Sequence, residues 1–573
     1  MRLLRASILS VTLLLLLQGN AAWSATDSGK TIRVALLPLD VVRTGQFSYL
    51  GNSVEQMLHT RLGRFDNITV VTNEVSGTQL NKLNQELKTN DFHAAIKHLQ
   101  VDWIADGSVY ALKQGVQINM TLYPASEDGK PSQFGVTAAK AEDISSALTS
   151  LTADIGRVVT GAADNTAGGT TRVKTGNDGM EAFRTPHPEL AYKKGLYAAG
   201  GLTGDLAGRY TTSHIQRSST IPMTAETMVV TDLDGDGKDD IIVASQSDIR
   251  IFHYGEYHFD QVAEYRFKLN KKIHALSVLP AAQGTTAHLL VSADGKNLPS
   301  SVIMSWNGSN TLQVEHNAIR WYVRAVTMPG KGTFIAGQQL KPGTDQWQLA
   351  PYIYRLVLNE QSGKLMNKGR LALPEGITLF DFVYADLNND KKIETVVIDA
   401  HQKLLLYNSS NELIWVSSTN YGGGLSHFGP SLNAHVSDEE AGGRILNYIP
   451  GRLEVSDLDN DGSWEIIVNT NTVDSKLLRF FPNLRHFNSG AVSCLGWNDG
   501  ALQELWRTNT INGYVADYAF KSGADAGSPS PAGNSGRLFV VQTQGKSLLQ
   551  RLLPGSDTSK IFMYALEIAP SEE

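Results

Sequence analysis

Thr231–Ala244 reads TDLDGDGKDDIIVA, an acidic, glycine-punctuated turn that runs straight into an apolar strand. Counted from Asp232, carboxylates stand at positions 1, 3, 5 and 9 (Asp232, Asp234, Asp236 and Asp240), with Gly237 at position 6. Alternate acids in a tight turn aim their oxygens at one centre, and a hard cation such as Ca²⁺ takes about six to eight oxygens in a flexible shell. Glycine at position 6 supplies the left-handed backbone that the turn needs. The pattern returns twice. Ser456–Asn469, SDLDNDGSWEIIVN, offers Asp457, Asp459, Asp461 and Glu465, with Gly462 at the turn. Ala385–Ile398, ADLNNDKKIETVVI, offers Asp386, Asn388, Asp390 and Glu394, with Lys391 where the glycine stands in the other two. Each copy leads into a β-rich run: Ile241–Val243, Thr395–Ile398 and Ile466–Val468.

An EF-hand is excluded, because that loop closes on a glutamate at position 12 between two helices. Here the last acid stands at position 9 and a strand follows. The first and third loops bring four side-chain carboxylates each. The second brings three, with neutral Asn388 and no glycine, so two strong structural Ca²⁺ sites and one weak site are expected. The residue at position 7 (Lys238, Lys392 or Ser463) would lend its backbone carbonyl. Such sites tie a loop to its strand and leave few open positions for substrate. Ca²⁺ is also a poorer activator of water than Zn²⁺. The alternative is a plain Asp/Gly turn without metal.

The three segments resemble the FG-GAP/VCBS repeat, the calcium-loop blade of integrin-type β-propellers. The match is specific in the first and third copies and partial in the second. The resemblance implies a propeller with Ca²⁺ loops between the first two strands of some blades.

A second signal marks the blades. An aromatic residue, usually followed by Asn, precedes a polar turn and then a leucine: Trp306-Asn307…Leu312, Tyr407-Asn408…Leu413 and Trp497-Asn498…Leu502, with Tyr254 in the same place earlier. Blades are expected to start near Thr224, Ile273, Trp321, Ile377, Leu453 and Tyr514, those at Ile273, Trp321 and Tyr514 having lost their acids. The last blade lacks a fourth strand, which His214–Thr220 would supply, closing the ring and removing an open edge. Six blades are favoured, with seven the alternative. Thr472–Phe487 and Ser417–Arg452 read as insertions. The second is the longer, and a long insertion on a rigid scaffold is a place for binding, or simply a surface loop.

Ahead of the propeller, residues 31 to 160 read as α/β. Val116, Ile118, Met120 and Leu122 alternate as a half-buried strand does. Ile144, Leu148, Leu151, Ile155 and Val158 stripe a helix that Asp143 is placed to cap. The string VALLPLD, a helix, and then VDWIADGSVYALKQGVQINMTLYPAS resemble the N-terminal domain of TolB and related envelope proteins. Trp103 in that string is either a partner anchor or a core tryptophan. The fold class is thus α+β: a small N-terminal α/β domain followed by an all-β propeller. The expected boundaries are a signal peptide over 1–24, the TolB-like domain over 25–160, a flexible linker over 161–185, and the propeller over 186–573.

Composition narrows the function. The 573 residues are 42% hydrophobic and carry a net charge of −7 without a basic block, which argues against nucleic acid as a partner. Arg2 and Arg5 precede the apolar run Ile8–Leu17, which is short for a membrane span, and Ala22-Trp23-Ser24 offers a cleavage site. An exported chain, periplasmic or secreted, not a lipoprotein and with no integral span, is expected. Its single cysteine, Cys494, allows no internal disulfide and reads as a buried small hydrophobe.

No catalytic signature assembles. G-x-S-x-G, H-E-x-x-H and G-x-x-x-x-G-K-[ST] are absent, and Ser292-Ala293-Asp294-Gly295 is only a fragment of a sialidase-type box. His253, His258, His274, His316, His427 and His486 are scattered singly and read as surface or satisfied core residues. The leading expectation is a bacterial envelope binding or scaffold protein, its propeller presenting a face to a protein or glycan. The alternative is an enzyme acting on extracellular polysaccharide, a lyase or hydrolase on the same kind of propeller. The sequence sets no oligomeric state.

Overall fold

The computed structural model describes residues 31–42, 50–65, 67–71, 92–126, 129, 131–161, 202–203, 210–255, 258–267, 271–281, 286–295, 298–341, 349–359, 363–428, 447–459, 461–473, 487–498, 500–522, 535–544 and 558–568. The expected signal peptide, nearly all of the expected linker and His486 lie outside these residues.

Among the described residues the N-terminal unit is one mixed sheet with three α-helices. Strands β1 (Ile32–Leu36), β2 (Asp40–Val42), β3 (Ile68–Val71), β4 (Trp103–Ala111), β5 (Val116–Pro124) and β6 (Ser132–Ala138) pair in the order β3-β1-β4-β5-β6, with β2 also on β4. Helices α1 (Leu50–Leu62), α2 (Phe92–Leu99) and α3 (Ile144–Thr160) complete it. Val116, Ile118, Met120 and Leu122 are buried against Leu58 and Leu62 of α1 and Leu148, Leu151 and Ile155 of α3. Trp103 is half-buried and packs on that core. Asp143 occupies the N-cap of α3 but makes no side-chain cap bond, because its backbone is already helical (φ −82, ψ −14).

The alternation in β5 predicts a polar face in water, and the structure differs. Gln117 and Asn119 are 5% and 2% exposed. Their amides donate to the Val416 and Ser417 carbonyls of the propeller at 2.6 and 3.1 Å. A face that pattern reads as solvated is instead a docking face, its polar groups satisfied across the interface. Tyr110 and Leu112 reach into the core of blades three and four, and Lys113 N donates to Leu413 O at 2.6 Å.

Six antiparallel blades follow, each built on four strands in the common radial order, with the short pair His427–Phe428 and Asn447–Tyr448 outside them. Their innermost strands are Thr227–Thr231, Lys271–Leu279, Tyr322–Met328, Phe382–Ala385, Leu453–Ser456 and Tyr514–Ser522. The aromatic signals stand at the outer end of the third strand, where Trp306 and Tyr407 are each 1% exposed. Ring closure occurs as expected but slightly earlier in the chain. Tyr210–Arg217 is the fourth strand of blade six, paired with Phe562–Ile568. Leu202–Thr203 adds a fifth strand to blade five, beside Arg507 and Thr508.

Candidate metal centres

In blade one the loop sits between the first and second strands. Asp232 accepts Gly235 N and Gly237 N at 2.7 and 2.9 Å. Gly237 needs its φ of +86° to make that bond, a conformation costly for a residue with a Cβ. Asp240 opens the second strand, is fully buried, and accepts Leu233 N at 2.8 Å through Oδ2. Its Oδ1 is also buried. His253 Nε2 stands 2.9 Å away, a charge partner only when protonated, and this oxygen accepts no hydrogen bond. Burial pushes the Asp240 carboxyl up to about 6, and Asp234 and Asp232 add to the rise.

Oxygens of Asp232, Asp234 and Asp240 lie within 4.8 Å of one another. Bonds of about 2.3–2.6 Å to one ion allow ligand separations of up to about 5 Å, so all three fit a single Ca²⁺ shell. Asp236 stands apart from that group. It accepts Lys238 N at 2.8 Å and pairs with the Lys238 ammonium at 3.5 Å.

Blade five repeats the arrangement. Asp457 accepts Asp461 N and Gly462 N at 3.1 and 3.0 Å, and Glu465 accepts Leu458 N at 2.8 Å. Oxygens of Asp457, Asp459 and Glu465 meet within the same 4.8 Å. Burial, reinforced by Asp459, Asp461 and Asp457, pushes the Glu465 carboxyl up to about 8. Asp461, like Asp236, turns to the backbone two residues on, accepting Ser463 N at 2.7 Å.

Blade four is looser. Lys391 takes the left-handed position at φ +66°, and its N–H reaches Asp386 Oδ2 at 3.1 Å. Glu394 accepts Leu387 N at 3.1 Å, and Asn388 accepts Asp390 N at 3.2 Å. Asp390 is drawn outward by the Lys392 N–H and ammonium at 2.8 and 3.0 Å, which hold its carboxyl below the usual range. Among the described residues its carboxylates form no three-membered group of the kind seen in blades one and five. Asp386 is 5% exposed, and its buried Oδ1 accepts no hydrogen bond.

Two further constellations carry no sequence signature. Arg452 lies among the inner strands, with Nε and Nη2 each 2.8 Å from the Asp517 carboxylate and Nη2 donating to Met228 O and Leu276 O at 2.9 and 3.2 Å. It thereby ties blade five to blades six, one and two. His274 is also fully satisfied. Its Nε2 is 2.8 Å from Asp294 Oδ2, and Tyr322 OH donates to Asp294 Oδ1 at 2.5 Å. Only their position near the start of inner strands would have flagged them.

The long insertion begins by crossing the face opposite the acid loops. Gly422 N donates to Asn469 O (blade five), Leu425 N to Tyr514 OH (blade six), and His427 O accepts the Lys272 ammonium (blade two), at 2.6, 3.1 and 2.7 Å. Phe428 packs its ring on His274, Tyr322 and Phe380. Residues 421–428 are thus a strap bonded to the inner strands, covering His274 and Tyr322.

Comparison with known proteins assigns no family. No protein-family model matches the chain, and no curated protein matches it in sequence. TolB from Acinetobacter baumannii aligns over 84% of this chain and 94% of its own, at 11% identity and a TM-score of 0.23. BBS1N, solved in complex with ARL6DN, aligns over 62% of this chain and 96% of its own, at 12% identity and a TM-score of 0.30. PelC from Paraburkholderia phytofirmans, solved as a dodecamer, aligns over 23% of this chain and 89% of its own, at 15% identity and a TM-score of 0.16. The resemblance to the calcium-loop repeat rests on the three loops themselves.

Proposed function

We propose that this protein is an exported binding scaffold of the bacterial envelope whose propeller is stiffened by Ca²⁺ and offers its surface to an envelope protein or a glycan. The observation that carries the metal is Asp240: a fully buried carboxylate with an oxygen that accepts no hydrogen bond, held within 4.8 Å of two more carboxylates. Such a group is costly unless a cation compensates it. Asp232, Asp234 and Asp240 would hold one ion, and Asp457, Asp459 and Glu465 a second. Asp386, Asn388, Asp390 and Glu394 would hold a third more weakly. Bound Ca²⁺ supplies a cross-link between each turn and the second strand of its blade.

Support for the scaffold reading comes from rigidity: the ring closes on its own N-terminal strand, and the α/β unit is hydrogen-bonded to blade four. Among the described residues no helix is long and apolar enough to cross a membrane. The test is thermal unfolding of the full chain in chelator and in Ca²⁺, with bound calcium counted by elemental analysis. At a hundredfold excess over Kd, one site adds about 2.7 kcal/mol. A rise lost in Asp234→Ala/Asp459→Ala supports the metal, whereas no bound calcium removes it. Export is checked by N-terminal sequencing of the chain recovered from the cell envelope, which should begin near Ala25. The scaffold reading itself fails if the Ca²⁺-loaded protein retains no envelope protein and no glycan in direct binding assays.

A second reading, an enzyme acting on extracellular polysaccharide, draws on the imidazole, carboxylate and phenol that meet at His274, Asp294 and Tyr322. All three lie beneath the strap. Release of new chain ends from polysaccharide by the wild type but not by His274→Ala would favour it.

A further inference from the structure

The acid loops of blades four and five touch each other. Trp464 N donates to Asp386 O at 3.0 Å, and Asn389 Nδ2 donates to Asp461 O at 3.3 Å. The fit is close: a Cβ added to Gly462 would stand 2.4 Å from Asn389 Nδ2. The first bond ends on Asp386 of the blade-four cage; the second ends on the main chain of Asp461, in the blade-five turn but outside its three-carboxylate group. The peptide that offers the Trp464 N–H also carries the Ser463 carbonyl, the position-7 oxygen of blade five. Its acceptor is the main-chain carbonyl of Asp386, whose side chain supplies position 1 of blade four and keeps a buried Oδ1 that accepts nothing. A cation drawing on the Ser463 carbonyl would polarise that peptide and make its N–H a stronger donor to the Asp386 main chain.

The two loops are unequal. In blade five, three carboxylates already converge. In blade four, non-glycine residues hold left-handed positions, Asn389 at φ +56° and Lys391 at φ +66°, and Asp390 is turned to Lys392. A loop holding such positions depends on its surroundings to keep them. Among the described residues, the blade-one loop makes no hydrogen bond to another acid loop.

We propose that the loops of blades four and five take up Ca²⁺ as a coupled pair, blade five first, through the Trp464–Asp386 and Asn389–Asp461 hydrogen bonds, while blade one binds independently. This rests on the calcium reading above. Coupling between sites is reciprocal, so each site must strengthen the other by the same factor.

The test is calorimetric Ca²⁺ titration of the full, calcium-depleted chain, with stoichiometry from equilibrium dialysis and folding checked by circular dichroism. In Asp459→Ala, which disables blade five, the blade-four affinity should fall about fivefold or more. In Glu394→Gln, which disables blade four, the blade-five affinity should stay within twofold of wild type, because blade five fills while blade four is still empty. Asn389→Ala removes no carboxylate and should weaken blade four, whereas Asp234→Ala should leave both sites unchanged. Blade-four affinity within twofold of wild type in both Asp459→Ala and Asn389→Ala overturns the coupling while leaving the calcium sites standing. A wild-type chain that binds no Ca²⁺ overturns the calcium reading and the coupling with it.

Discussion

Arg452 is the sharpest point of attack on the ring. Its guanidinium is 21% exposed and the Asp517 carboxylate 7%, so the pair is largely out of water. Asp517 Oδ2 also accepts Thr227 Oγ1 and Met228 N, each at 2.8 Å. Asp517→Ala therefore strands a buried cation and two donors from blade one at once. Breaking a buried pair from one side costs about 3–5 kcal/mol. With about 2 cal/mol/K of unfolding entropy per residue over a unit of roughly 360 residues, that is a fall in Tm of about 4–7 °C. Arg452 keeps its bonds to Met228 O and Leu276 O, which places the expected loss toward the lower end. The assay is thermal unfolding followed by near-ultraviolet circular dichroism at fixed Ca²⁺. Arg452→Met/Asp517→Leu should recover part of the loss, because an apolar pair leaves no charge uncompensated while Thr227 Oγ1 and Met228 N still lack their acceptor. A single Asp517→Ala variant within about 1 °C of wild type would refute the reasoning, since the guanidinium would then be finding water that the packing excludes.

Three other outcomes are expected. Gly237→Ala and Gly462→Ala both force a Cβ onto a left-handed backbone, but only the second meets Asn389 Nδ2 at 2.4 Å, so Gly462→Ala should cost about 1 kcal/mol more in a denaturant midpoint comparison. Burial pushes the Glu454 carboxyl up to about 7 from its ordinary 4.5. The folded state keeps a proton that the unfolded chain releases between those values, so this group's contribution falls as pH rises from 4.5 to 7. The difference in Tm between wild type and Glu454→Gln across that window should show that slope, and parallel curves would contradict it. Cys494 is fully buried with its thiol pushed well up, so it should resist thiol reagents in the folded protein and react once unfolded; native labelling within minutes would mean that blade five opens.

Much of the fold was legible because a propeller blade is a local object. The acid turn, the apolar second strand and the aromatic at the end of the third strand all fall within about fifty residues of one another, so spacing alone set the register of Asp232, Asp386 and Asp457. Even the closing strand was readable: the expected His214–Thr220 overlaps the observed Tyr210–Arg217, which pairs with Phe562–Ile568. What the pattern misplaced had neighbours far away in the chain. The polar face of β5 read as solvated, because nothing near Gln117 and Asn119 announces that Val416 and Ser417 will cover them. Arg452 read as the end of an insertion, because its partners Asp517, Met228 and Leu276 come from three other blades.

The sequence by itself determined the repeat, its period, the acids of each turn and the glycines that let two of those turns close. These are matters of covalent spacing and backbone conformation, which act over a few residues. Only the tertiary structure decided which acids meet. Asp240 and Glu465 join their cages because the second strand buries them, whereas Asp236 and Asp461 turn aside to the backbone two residues on. It also decided that the loops of blades four and five share hydrogen bonds while, among the described residues, blade one makes none of that kind, since bonds between neighbouring blades depend on how the ring closes and not on either loop alone.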